Sequence, residues 1–289
     1  MSLMDALDAS MPGVSPGVFD EADFRAISEI THKEAGIVLS SGKAMLVYSR
    51  LAPLVRNANC ATFGAYVIRI REDATERTKA ICALTTNHTF FYREAHHFEH
   101  FAREVRPGYV QRLQSGGKVR LWSAGCSSGE ETWSLLMTFL GEDASAGANI
   151  AKRDLRLLAS DIATHAIAKA RAGTYRTEDL KPVPDGLRRH WTRSTGEEST
   201  IAPEVQQLAR FRSLNLLGDW PMQGQFDTIF CRNVMIYFDN PTKERLVHRF
   251  AEKLAPGGWL YIGHSERVTG PALDLLSTQG PTIYRKRAA

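Results

Sequence analysis

The stretch WSAGCSSGEET, Trp122 to Thr132, has the look of a ligand-binding turn. Gly125 and Gly129, with small residues between them, give the backbone the freedom to come close to a bound molecule. A phosphate-binding loop of the form GxxxxGK[ST] would end on lysine, whereas this turn ends on Glu130 and Glu131, and its spacing is not GxGxxG either. Carboxylates beside a pyrophosphate would repel it. They would instead accept hydrogen bonds from ribose hydroxyls, or pair with an ammonium or a sulfonium. S-adenosylmethionine offers all of these groups and no phosphate. A second acid, Asp161, closes LLASD, where a carboxylate at a strand tip would meet the ribose. Each acid also has a plainer reading. Glu130 and Glu131 would complement the dipole at a helix start, and Asp161 would cap the next helix.

Other reactive residue types form weaker patterns. His96 and His100 stand at i, i+4, a metal spacing, yet no third ligand accompanies them, so no metal is expected. Phe90, Phe91 and Tyr92 read as packing rather than as a base-stacking platform. His264 and Ser265 are adjacent, and on a strand their side chains would diverge, which removes them as a nucleophile and base pair. Cys126 reads as a small filler. Cys60, Cys82, Cys126 and Cys231 lack CxxC spacing and suit a reducing cytoplasm.

These groups need elements to hold them. From Phe19 to Leu84 apolar residues recur at helical spacing, as in Phe63, Tyr66, Val67 and Ile70, which gives a helical domain. PGYVQRLQSGGK carries the Pro and Gly of a connection. Beyond it the strand candidates VRLWSA, LRLLAS, FDTIFC and WLYIGH alternate with helices over Glu130–Leu140, Ile162–Ala172 and Pro241–Leu254, the last with Asn240 as its cap. The alternation predicts a mainly parallel sheet covered on both faces. Between Leu187 and Leu214 the pattern weakens and a small insertion is expected. The domain plan is a flexible lead-in over 1–17, a helical domain with interdomain segment over 18–95, and a sheet domain over 96–289 whose insertion lies near 188–213.

Composition sets the outer bounds. The chain has 289 residues, is 43% hydrophobic and 24% charged, and carries a formal charge of +4. That charge is thin for a nucleic-acid binder. The start, MSLMDALDASMPGVSPGVFD, lacks the basic and apolar regions of a signal peptide, and no apolar run is long enough for a membrane span.

Four further segments, ALTTNHTFFYREAHHF, ASDIATHAIAKARAGTYR, FCRNVMIYFDN and LAPGGWLYIGHSE, stand beside WSAGCSSGEE. With them the chain closely resembles the chemotaxis receptor glutamate methyltransferases, the CheR family, from about Phe19 onward. The resemblance implies an all-helical N-terminal domain joined to an α/β class I S-adenosylmethionine-dependent methyltransferase sheet with a small antiparallel β insertion. It implies transfer of a methyl group to glutamates on the cytoplasmic helices of chemoreceptors, with S-adenosylhomocysteine as the product. Matched motif to motif, the cofactor residues are Asn87, Thr89, Arg93, Ala124, Glu131, Asp161, Asn215, Leu216, Asn233 and Val234, and Tyr237 lies near the transferred methyl. Arg93 and Tyr237 are the expected catalytic pair, acting by orientation. A carboxylate nucleophile, with a reference pKa of about 4.3, needs no general base at neutral pH. Two other readings stay open: a nucleic-acid or other S-adenosylmethionine-dependent methyltransferase, and a cofactor-sensing scaffold. The expected partners are chemoreceptor cytoplasmic domains, without nucleic acid or membrane insertion. Some family members use the insertion to grip a receptor's C-terminal pentapeptide. WTRSTGEESTIAPEV is short there, so no such tether is expected.

Overall fold

A computed structural model of the chain describes residues 17–85 and 87–288. The lead-in expected over 1–17 lies, Gly17 apart, outside the described residues. The chain divides into two compact units, Met1–Thr86 with Tyr237–Thr242, and Asn87–Ile236 with Lys243–Ala289.

The first unit is helical: α1 (Glu21–Ala35), α2 (Ala44–Asn57), α3 (Phe63–Glu72) and α4 (Ala74–Leu84). Their starts are written locally. Asp20 and Asp23 form a reciprocal capping box before α1, Thr62 caps α3 through the Ala65 N–H, and Asp73 caps α4 through Thr75 and Glu76. The apolar faces meet in one core built on Phe24, Ile27, Val47, Leu51, Phe63, Tyr66 and Ile70.

The second unit opens with α5 (His96–His100), a π turn (Phe101–Val105) and α6 (Arg106–Gln114). The stretch read as a connection is therefore largely helix. Pro107 is accommodated because it follows a π turn, where a missing N–H does not break a regular ladder. The sheet then runs β1 (Val119–Ala124), α7 (Glu130–Leu140), α8 (Ala144–Ala151), β2 (Leu155–Asp161), α9 (Thr164–Ala172), β3 (Thr174–Arg176), α10 (Asp185–Trp191), β4 (Thr192–Thr195), β5 (Glu198–Ile201), β6 (Ala209–Ser213), β7 (Phe226–Cys231), α11 (Asn240–Lys253), β8 (Leu254–Ile262), β9 (Leu276–Gly280) and β10 (Ile283–Lys286). The large sheet has the order β6-β2-β1-β7-β8-β10-β9, parallel from β6 to β8 and antiparallel beyond. The order reverses between β1 and β7, and a ligand crevice belongs there, beyond the strand tips.

Three expectations need correction. The insertion is a sheet of order β3-β5-β4 that begins at Thr174, while β6 joins the large sheet, so the irregular 188–213 stretch is shared between two sheets. Asn240 is the first residue of α11, not its cap. Asp239 takes that role, accepting the Thr242 N–H at 2.8 Å. β8 ends at Ile262, so His264 and Ser265 sit in the turn beyond it, where the divergence argument for a strand does not apply.

Candidate active site at the strand tips

The turn after β1 is shaped by its backbone. Gly125 and Cys126 both donate to the Ser160 carbonyl, at 2.8 Å and 2.9 Å, and Ser127 N–H reaches the Asp161 carboxylate at 2.8 Å. Gly125 holds φ +83°, and a Cβ there would run into the side chain of Val234. Gly129 holds φ +97°, with the Tyr175 hydroxyl 2.8 Å from where its Cβ would be. Both glycines are thus required by conformation and by space.

The three acids divide their labour. Asp161 is buried at the tip of β2 and also accepts the Ala163 N–H at 2.9 Å; it does not cap α9, which begins at Thr164, two residues later than expected, with Ala163 at the cap. Burial pushes its carboxyl up, and the hydrogen bonds from Ala163 and Ser127 oppose that. Glu130 turns back on the Ser128 hydroxyl, at 2.8 Å, and serves the start of α7. Glu131 instead faces the strand tips, accepting from the Ser123 hydroxyl at 2.7 Å and lying 3.3 Å from Arg232 Nη1. Burial pushes it up too, while Arg232 pulls it down.

The segment 87–95, grouped by sequence with the helical domain, packs in the second unit. The Asn87 carbonyl accepts from the Ser127 hydroxyl at 3.1 Å, and its amide lies 3.2 Å from His165 Nε2. Thr89 is half-buried nearby along the chain. Phe91 is fully buried, edge-on to Tyr175 at 5.0 Å, which fits its reading as packing. Arg93 donates to the His88 carbonyl at 2.9 Å and lies 5.9 Å from the Phe90 ring centroid. Among the described residues its guanidinium enters no ion pair, not even with its sequence neighbours Glu94 and Glu99. Glu94 turns inward, to Arg232.

Beyond β7, Asn233 takes φ +59° and donates its amide to Glu94 at 3.2 Å. Glu266, which the sequence reading passed over, ties this corner together. It accepts from the backbone N–H groups of Asn233 (3.2 Å), Met235 (2.8 Å) and Gly263 (2.6 Å). At the tip of β6, Leu214 N–H donates to the Asp161 carbonyl at 2.9 Å, so Asn215 and Leu216 follow directly beside the β2 tip. Leu216 is buried, and its carbonyl receives Trp220 Nε1 at 3.1 Å. Asn87, Ala124, Glu131, Asp161, Asn215, Leu216, Asn233 and Val234 therefore cluster around the tips of β1, β2, β6 and β7. Tyr237 lies in a 3-10 turn (Met235–Tyr237) whose final carbonyl accepts the Val38 N–H at 2.9 Å, and it groups with the helical unit.

Glu94 and Arg232 were not singled out as site residues either, although a charge directly after the apolar strand FDTIFC was the available signal. Burial alone would raise Glu94, but Arg232, with hydrogen bonds from His264 and Asn233, holds its carboxyl at about 2. His97 is pushed down to about 3 by burial and then by Arg232, so it is neutral at physiological pH. His100 spends its ring on the Tyr261 hydroxyl at 2.8 Å. Burial raises the Cys126 thiol well above its ordinary value, in keeping with an inert filler.

Comparison with known proteins decides the family. The SAM binding domain of the CheR methyltransferases matches residues 87–282, and their all-alpha domain matches residues 22–85. The chain belongs to the CheR methyltransferase family. It is 42% identical to a "Probable chemotaxis protein methyltransferase" of Rhizobium etli, over 88% of this chain and 96% of the relative. Identity to the "Chemotaxis protein methyltransferase" of Klebsiella aerogenes is 40%, over 91% of this chain and 89% of the relative. To that of Escherichia coli it is also 40%, over 91% and 90%. The protein is an S-adenosylmethionine-dependent methyltransferase with the fold that its motifs implied.

The residues of this CheR-family enzyme fit that cofactor. A turn bordered by the carboxyl groups of Glu131 and Asp161, which accept from Ser123 and from the Ser127 N–H, suits ribose hydroxyls and a cationic ligand, and disfavours a phosphate. No described helix is long and apolar enough to cross a membrane.

Proposed function

We propose that this enzyme esterifies specific glutamate side chains on the cytoplasmic helices of chemoreceptors, giving glutamate methyl esters and S-adenosylhomocysteine, as the adaptation step of chemotaxis. The observation that carries this reading is the CheR match over 87–282, the stretch that supplies the carboxylate-tipped turn and the 87–95 segment. The cofactor supplies an electrophilic methyl on a sulfonium. The chain's own residues bind and orient. Glu131 and Asp161 hold the cationic nucleoside, aided by Asn87, Thr89 and the backbone at Ala124. Asn215 and Leu216 flank the adenine, and Asn233 with Val234 closes the pocket. Arg93, with its planar fork outside any ion pair among the described residues, grips a carboxylate, that of the cofactor or of the substrate glutamate. Tyr237 orients the incoming group. The glutamate is already ionised, so the work is alignment of oxygen, carbon and sulfur at about 3 Å to 3.5 Å and exclusion of water.

The enzyme works in the cytoplasm on receptor proteins and not on nucleic acid, in keeping with its +4 charge. It needs no pentapeptide tether, in keeping with the tight turn at Gly196 and Glu197 between β4 and β5. Incubation with methyl-labelled cofactor and receptor-bearing membranes tests the reading: the label should leave as methanol in base. Label that resists base, or that appears on added RNA with steep salt dependence, would overturn it, and tight binding of a receptor C-terminal pentapeptide would remove the tether claim.

A further inference from the structure

Arg232 leaves the tip of β7 and is almost wholly buried, its side chain 2% exposed. One Nη2 lies 3.2 Å from Glu94 Oε2 and Nη1 lies 3.3 Å from Glu131 Oε2, while Nη2 also donates to the Arg93 carbonyl. The guanidinium stands 5.4 Å from the Phe98 ring centroid. From the tip of β7 it thus reaches the segment before the sheet at Arg93 and Glu94, the helix after β1 at Glu131, and α5 at Phe98.

As a stabilising device the cluster is poor. One cation serves two carboxylates, and among the described residues the buried atoms Glu94 Oε2, His97 Nδ1 and Arg232 Nε make no hydrogen bond, although His97 Nδ1 lies 3.5 Å from Glu94 Oε2. Apolar side chains of similar volume would commonly serve stability as well or better. What the cluster does hold is position. Tyr92 and Glu94 both sit at positive φ, +56° and +58°, conformations that persist in non-glycine residues only when their surroundings impose them. Arg93 lies between them, so its direction depends on the backbone that Arg232 ties down. The same guanidinium fixes the carboxylate of Glu131.

We propose that Arg232 is a positioning residue for methyl transfer: it fastens the Arg93–Glu94 backbone and the Glu131 carboxylate to the tip of β7, so that both site groups are presented in one arrangement. The inference rests on the function proposed above. Lysine would keep the charge but lose the planar fork that reaches all three partners. Without any cation, Glu131 would be left facing Glu94 from the connecting segment, beside the buried thiols of Cys126 and Cys231, while Glu130 on its own helix is turned away to Ser128 and Asp161 is taken up by the N–H groups of Ser127 and Ala163. His97 stands behind Glu94, and in its neutral state it supplies no counter-charge.

The test uses the full chain as Arg232→Lys, Arg232→Gln and Arg232→Gln/Glu94→Gln. S-adenosylhomocysteine binding is followed by calorimetry from about pH 6 to about pH 8.5, with receptor methylation in parallel and thermal melting to count folded protein. Arg232→Gln should bind the product about tenfold or more weakly, with the deficit growing as pH falls, because an uncompensated Glu131 retains its proton. The double variant, freed of the Glu94 charge, should recover much of the affinity and a flatter pH profile. Arg232→Lys should bind within a few-fold of wild type yet turn over about tenfold more slowly. Affinity and turnover within about twofold of wild type in Arg232→Gln would overturn the proposal, as would full turnover in Arg232→Lys. So would losses that track folded protein alone in Arg232→Lys and the double variant. A wild-type enzyme that fails to bind S-adenosylhomocysteine would instead overturn the functional reading.

Discussion

At its amino end β1 meets water: Arg120 lies 2.8 Å from Asp154, with side chains 30% and 51% exposed. Just past its carboxyl end Arg232 lies 3.3 Å from Glu131, with side chains 2% and 12% exposed. The two pairs share their chemistry and sit at opposite ends of the same strand, yet physics prices them differently. The exposed pair is hydrated and screened, and either member can be lost to solvent without leaving a bare charge. The buried pair has given up hydration, shares its cation with Glu94, and cannot lose one partner alone. The fold tolerates such a cluster at the end where the ligand crevice opens, which is where a fixed charge has something to position.

The largest effect should come from splitting the buried cluster. Arg232→Met leaves two carboxylates facing one another and should lower stability by about 3 to 5 kcal/mol in urea titration. Replacing Arg232, Glu94 and Glu131 together with apolar residues should return much of that stability while abolishing cofactor binding. A triple variant as unstable as the single would break the comparison.

Acid offers a second handle on the same cluster. Glu94 is held down to about 2 from 4.5, so its ionised form stabilises the fold fully above 4.5, and that contribution is lost as pH falls toward 2. The stability gap between wild type and Glu94→Gln should therefore narrow between pH 4.5 and about 2, as followed by acid unfolding. A gap constant over that window would show the charge to be immaterial.

Smaller losses belong to the ligand itself. Glu131→Ala or Asp161→Ala should weaken S-adenosylhomocysteine binding by about 1 to 3 kcal/mol, and ATP and NAD should not bind the wild type. Arg93→Ala should slow turnover about tenfold or more while affecting cofactor affinity less, with poor rescue by lysine. At the wet end, Arg120→Ala should cost at most about 1 kcal/mol and leave cofactor binding untouched. A larger loss there would erase the contrast between the two ends of the strand.

Local chemistry was written openly in the chain. The caps at Asp20, Thr62 and Asp73 act on N–H groups two or three residues away, and the boundaries of β1, β7 and α7 follow from periodicity and from the glycines of one turn. The acids Glu131 and Asp161 were legible because Asp161 closes a strand and Glu131 opens the helix that follows the turn of another, which puts both at strand tips. What the sequence could not decide is what depends on distant partners. Whether Glu94 would pair with its neighbour Arg93 or with Arg232, 138 positions on, depends on which strands become neighbours. β7 comes to lie beside β1 only through the order of the sheet. The same holds for Glu266, which gathers three backbone N–H groups from both sides of a strand pair. It holds too for β6, short and irregular on its own, which becomes a strand because β2 offers it an edge. Residue type and spacing determined which groups were available for chemistry. Tertiary structure decided which of them share a buried charge, because burial and the strength of an ion pair are set by neighbours that the chain brings together only on folding.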